Sequence, residues 1–97
     1  MLEFEWDEAK DLSNISKHGL SFVQAKQLFE SGADYLEIFD ADYSELEDRF
    51  IAIGPIHQGI AVVVYTEREN GQIRIIAARL ANKSERSLYR ARTDPSQ

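Results

Sequence analysis

The chain is 97 residues long, the scale of one compact domain, so a single domain over residues 1–97 is expected, with 93–97 as a frayed tail. A hydrophobic share of 43% excludes disorder, and the lack of cysteine excludes a disulfide framework or thiolate metal site. A net charge of −6 argues against a general nucleic-acid binder. The acidic start "MLEFEWDEAK" lacks the cationic-then-apolar pattern of a signal peptide. The longest apolar stretch, "GIAVVVY", is too short to cross a bilayer, so the chain reads as cytoplasmic with no membrane partner.

In chain order, "WDEAKDLSNISKHG" predicts a first helix, capped by Asp7, with Lys17 and His18 in its last turn and Gly19 as the left-handed exit. "SFVQAKQLFESG" predicts a second, with Ser21 and Gln24 as a capping box, so the two form an N-terminal helical hairpin. A short strand is expected around Leu36 to Phe39, followed by an acidic loop. The runs "RFIAIGPI", "GIAVVVYTER" and "QIRIIAARLA" then have hairpin spacing, the second pair joined through Asn70-Gly71. The middle run is apolar on both faces, as in a central strand covered on both sides. Asn82 and Glu85 frame another capping box, ahead of a short C-terminal helix over "KSERSLYRAR". The expected class is α+β: a helical hairpin packed on a three- to four-stranded antiparallel sheet, with a C-terminal helix.

Charge is distributed unevenly. Residues 68–92 hold seven basic and two acidic residues, a local +5 on an acidic body. This marks either a polyanion or partner site, with Lys83 and Arg86 inside it, or a solvated charged face. Strand alternation places Ile73, Ile75, Ala77 and Arg79 on one face and Arg74, Ile76 and Ala78 on the other. Arg68 and Arg74 flank the last hairpin turn, and a carboxylate such as Glu67 or Glu69 is expected to bridge them. Arg79 follows an apolar run and precedes a helix, where its fork could take a phosphate or pair with Asp7 or Glu8. Lys17 and His18 could equally complement their helix dipole. His57 reads as an exposed turn residue, and the two histidines give no metal spacing; no cofactor is expected.

Four stretches in order resemble the BrnT family of toxins: "FEWDEAKDLSNISKHGLSF", "RFIAIG", "VVVYTER" and "IRIIAARLANKSERSLY". The resemblance implies a fold related to the RelE-like ribonuclease toxins. It implies RNA cleavage that inhibits translation, and neutralisation by a BrnA-type antitoxin with a ribbon-helix-helix DNA-binding part. It carries function onto Lys17 and His18 of "KHG", Thr66, Glu67 and Arg68 of "YTER", Arg74 and Arg79 of "IRIIAAR", and Arg86 and Tyr89 of "ERSLY".

Metal-independent chemistry is then expected, with Arg79 and Arg68 on the scissile phosphate. Lys17 or His18 would be the base, and the other of the two, or Tyr89, the acid. Thr66, Glu67, Arg74, Lys83 and Arg86 would hold the substrate. The alternative is a non-catalytic interaction protein that binds a ribbon-helix-helix antitoxin and acts as corepressor of its operon. In either case operator DNA is touched only through the antitoxin.

Overall fold

A computed structural model describes residues 2–41 and 48–93. The acidic loop and the end of the tail expected from the sequence fall mostly on 42–47 and 94–97, outside the described residues. Helix α1 (Glu8–His18) starts where the Asp7 carboxylate accepts the Lys10 N–H at 3.1 Å. It stops at Gly19, whose φ of 69° suits a residue without a Cβ. The sole buried residue of α1 is polar, Asn14, while Leu12 and Ile15 point outward at 66% and 41% exposure.

The second helical segment differs from the expected hairpin partner. It comprises two single turns, α2 (Phe22–Ala25) and α3 (Gln27–Glu30), interrupted at Lys26. The Ser21–Gln24 capping box forms as read. Leu20 between the helices is 2% exposed and sinks into the core, so the chain folds down onto the sheet. Accordingly α1 and α2 pack on one strand and α3 on another, and the helices do not form a two-helix layer of their own.

The sheet has five strands, β1 (Phe4–Glu5), β2 (Leu36–Phe39), β3 (Phe50–Ile56), β4 (Gly59–Glu67) and β5 (Ile73–Leu80), in the order β1-β5-β4-β3-β2. It is mixed, not purely antiparallel, because the two-residue β1 runs parallel to β5, with Phe4 beside Ile73 and Glu5 beside Arg74. The central position of β4 agrees with its apolar faces. Past Arg74, β1 no longer covers the edge of β5, and Asn14 takes over. Its amide donates to the Ala78 carbonyl (2.7 Å) and the Leu20 carbonyl (2.8 Å), and its oxygen accepts from the Ala78 N–H (3.1 Å). A buried amide thus stands in for a strand, which satisfies backbone groups that α1 would otherwise bury unpaired.

One irregularity re-aims the functional row. The β4–β5 register steps from Val64↔Ala77 to Tyr65↔Ile75, which leaves Ile76 as an extra residue in a bulge. Ile73, Ile75 and Ala78 therefore share the face of Val63 and Tyr65. Arg74, Ala77 and Arg79 share the opposite face, beside Thr66, Val64 and Val62. The strict alternation read from the sequence put Arg74 and Arg79 on opposite faces; the bulge puts them on one.

Phe22, Leu28, Phe29, Val63, Tyr65 and Ile75 build the larger core under α1–α3. Each such side chain contributes roughly 1.5–3 kcal/mol on burial. Helix α4 (Lys83–Thr93) lies on the other face, where Tyr89 packs over Leu36, Ile53 and Val62. Gly54 is needed where β3 meets Tyr35, since a Cβ there would lie 2.7 Å from the Tyr35 Cβ. Among the described residues no helix is long and apolar enough to cross a membrane.

Candidate active site

Arg79 sits one residue from the end of β5, and Asn82 opens α4. The expected capping box is present: Glu85 N–H donates to Asn82 Oδ1 and Asn82 N–H to Glu85 Oε1, both at 2.9 Å. The Glu85 carboxylate also takes the Arg79 fork, Nη1 on Oε1 and Nη2 on Oε2, each at 2.7 Å. Arg79 thus pairs with Glu85, not with Asp7 or Glu8, because α4 turns back directly over the end of β5. The Arg79 hydrogen bonds hold the Glu85 carboxyl below the usual carboxylate range, against the opposing effect of its partial burial. The same pair raises the Arg79 guanidinium further. With 41% of its side chain exposed, the fork is fixed in direction and open to solvent.

A second cationic group lies at the other end of β5. Arg74 Nη1 donates to Glu5 Oε2 at 2.8 Å and Arg68 Nε to Glu5 Oε1 at 3.3 Å. Glu5 bridges the two arginines, placed beside Arg74 by the parallel pairing of β1, whereas Glu67 and Glu69 were the expected partners. Thr66 shares the Arg74 row and is 2% exposed, and its hydroxyl has no hydrogen-bond partner among the described residues. An open hollow of about 560 Å³ lined by Glu5, Arg68, Glu69, Asn70 and Gln72 adjoins this group.

Lys17 and His18 are exposed in the last turn of α1. That helix follows β1, which sits beside Arg74, and passes Ala78 at Asn14, so its last turn lies towards the Arg79 end of β5. At that end the structure brings together Arg79 and Glu85, while Lys83 is exposed in the first turn of α4. It does not bring Arg68 to Arg79. The Thr66 row, which carries Arg74, already lies four residues along β4 from the Val62 row beside Arg79, roughly 13 Å along a strand, and Arg68 lies two residues beyond it. Tyr89 donates its hydroxyl to the Asp34 carbonyl at 2.8 Å and packs on the cluster of Leu36, Ile53, Val62 and Ala81. Arg86 Nη1 caps the Ala81 carbonyl at 2.9 Å, and Glu67 ends β4 exposed.

Sequence reading missed Glu5 and Asn14, and saw Glu85 only as a helix cap. The signal for Glu85 was its spacing six residues after Arg79, across a strand-to-helix junction. Glu5 gave none, since it is 69 positions from Arg74. Among the described residues no group of three or more His, Asp or Glu is placed to hold a metal ion. His57 is exposed in the turn between β3 and β4, as expected.

Comparison with known proteins follows the same lines. Residues 6–85 match the profile of a family described as the ribonuclease toxin BrnT of type II toxin–antitoxin systems. A search of curated proteins gave no match. The fold is similar to the crystal structure of the Brucella abortus ribonuclease toxin BrnT, with a TM-score of 0.62 and 30% sequence identity, covering 86% of this chain and 100% of that one. With four-fifths of its length matched, and Arg68, Arg74, Arg79 and Glu85 inside the match, the chain belongs to the BrnT family of type II toxins, proteins that pair with an antitoxin.

Proposed function

We propose that this chain is a metal-independent endoribonuclease that cleaves RNA and thereby inhibits translation. A BrnA-type ribbon-helix-helix antitoxin neutralises it and supplies the contact with operator DNA. The observation that carries the reading is the Arg79 fork, set in direction by Glu85 at the end of β5 towards which the last turn of α1 leads. In cleavage the RNA 2′-oxygen bonds to the adjacent phosphorus as the bond to the 5′-oxygen breaks, giving a 2′,3′-cyclic phosphate and a 5′-hydroxyl. Arg79 stabilises the charge that develops on the non-bridging oxygens. The 2′-hydroxyl proton passes to His18 or Lys17, and the other of the two protonates the departing 5′-oxygen; such a pair contributes about 10²–10⁴-fold. Tyr89 is not assigned a proton, since its hydroxyl serves Asp34. Because substrate phosphate competes with Glu85 for Arg79, cleavage is expected to fall with added salt.

The corepressor reading is favoured by one observation: each end of the arginine row is already paired with a carboxylate, Glu85 or Glu5. Inducing the protein alone in a bacterium, with RNA cleavage assayed on the purified chain, separates the two. Reversible growth arrest with cleavage in the presence of a chelator supports the enzyme. Unaffected growth at high expression, with intact RNA, leaves the corepressor.

A further inference from the structure

We infer that Arg74, Arg68 and Thr66 form a second phosphate subsite, which takes another phosphate of the same RNA strand while Arg79 holds the scissile one. The inference rests on the ribonuclease reading above and adds the substrate's length and register to it. The first support is the bulge at Ile76, which turns Arg74 onto the face of Arg79, so one strand laid along β4 and β5 meets both. The second is the state of Arg74. Among the described residues it meets Glu5 through Nη1 alone, and the remainder of its fork is available to a second acceptor. Arg79, by contrast, is gripped by Glu85 through both Nη atoms.

Thr66 supplies the third, independent support. Its hydroxyl lies on the Arg74 row, is almost wholly buried, and has no partner among the described residues. A buried hydroxyl left unpaired is unfavourable, and a phosphate oxygen held by Arg74 would satisfy it. Spacing decides that this is a separate subsite. The Val62 and Thr66 rows lie roughly 13 Å apart along the strand, too far for one phosphate to touch both. A stacked strand rises about 3.4 Å per nucleotide and covers that distance in about four nucleotides; an extended strand needs fewer. A dinucleotide therefore fills one subsite, and a hexanucleotide fills both.

The test is binding of a fluorescent 2′-O-methyl RNA hexanucleotide, which lacks the attacking hydroxyl and so reports binding without cleavage. Affinity is followed from low to near-physiological salt for the full chain and for Arg74→Gln and Thr66→Val. Arg74→Gln is expected to bind several-fold more weakly and to lower the slope of log affinity against log salt by about 0.7, one phosphate contact on a single strand. Thr66→Val is expected to weaken binding with the slope unchanged, and a 2′-O-methyl dinucleotide, which fills one subsite, to bind wild type more weakly than the hexanucleotide does. Folded variants that keep the wild-type affinity and slope on the hexanucleotide overturn the subsite. Where Arg74→Gln unfolds, Thr66→Val decides alone. A chain that binds the hexanucleotide as described but cleaves no RNA overturns the ribonuclease reading and leaves the subsite standing.

Discussion

The two faces of the sheet are built for different tasks. Under α1–α3 the apolar side chains close almost completely, with Phe22, Leu28, Val63 and Tyr65 fully buried. On the opposite face α4 lies chiefly over β2 and β3, and buries none of its own residues fully. Beside it the rows of β4 and β5 carry Thr66, Arg74 and Arg79, each arginine steered by a carboxylate from a neighbouring element. The first face supplies stability and the second presents charge from a strand that the first holds rigid. Substitutions on the helix-covered side should therefore change stability with the chemistry intact, and substitutions on the arginine side should do the reverse.

The largest stability effect is expected from Asn14→Ala, which removes three hydrogen bonds and leaves the Ala78 N–H and carbonyl buried without partners. A loss of about 3 kcal/mol follows from the cost of such orphaned groups, to be read by denaturant unfolding. A loss below about 1 kcal/mol would mean that water replaces the amide and that α1 does not seal this edge. Tyr65→Phe tests the same face more gently. The Tyr65 hydroxyl donates to the Glu37 carboxylate at the margin of the core, and its removal should cost about 1–2 kcal/mol.

Burial, then the Glu37 hydrogen bond, raises the Tyr65 pKa above its ordinary 10.0. Its contribution to stability is therefore fully present below pH 10.0 and declines above it, where the unfolded chain ionises and the folded one does not. Wild type should lose stability with rising pH in that range, and Tyr65→Phe should lose less; equal slopes would exclude Tyr65 as the cause.

On the arginine face Glu85→Gln should change stability at neutral pH by about 1 kcal/mol, because the ion pair is partly exposed and glutamine keeps an acceptor for the Asn82 N–H. The folded Glu85 pKa is lowered, chiefly by Arg79, so its contribution is present above 4.5 and disappears as pH falls through the lower folded value. Thermal unfolding from pH 6 to pH 3 should show a shallower acid decline in Glu85→Gln than in wild type. An identical decline would show that the Arg79 pair does not stabilise the fold.

What was legible in the chain was local. The capping boxes at Ser21–Gln24 and Asn82–Glu85, the Gly19 exit and the Asn70-Gly71 hairpin each lie within a few residues of the sequence, and each formed as read. Strand β1 was illegible because two residues carry no period, and its pairing depends on β5 nearly seventy positions away. The bulge was hidden by uniformity: Ile75, Ile76, Ala77 and Ala78 are all apolar, so nothing in the run marks where alternation breaks. The arginines were identified, but their partners were not. Glu5 is chosen by the sheet edge where the nearer Glu67 or Glu69 was expected, and Glu85 by the strand-to-helix turn where the distant Asp7 or Glu8 was expected. In α1 a polar Asn14 makes the buried contact while Leu12 and Ile15 face outward, a choice that the helix caps do not encode.

Single-turnover cleavage of a short RNA by wild type, Arg79→Ala and Arg79→Lys puts the role of the arginine face to trial. Loss of one preorganised charge donor should slow Arg79→Ala by about 10²–10³-fold. Arg79→Lys should recover only part of that, because an ammonium keeps the charge and loses the two-point grip. Both variants should stay folded, with melting temperatures within about 8 °C of wild type, since a solvated ion pair is worth at most about 1 kcal/mol. A folded Arg79→Ala protein that cleaves RNA at the wild-type rate would contradict the assignment of this face to the chemistry.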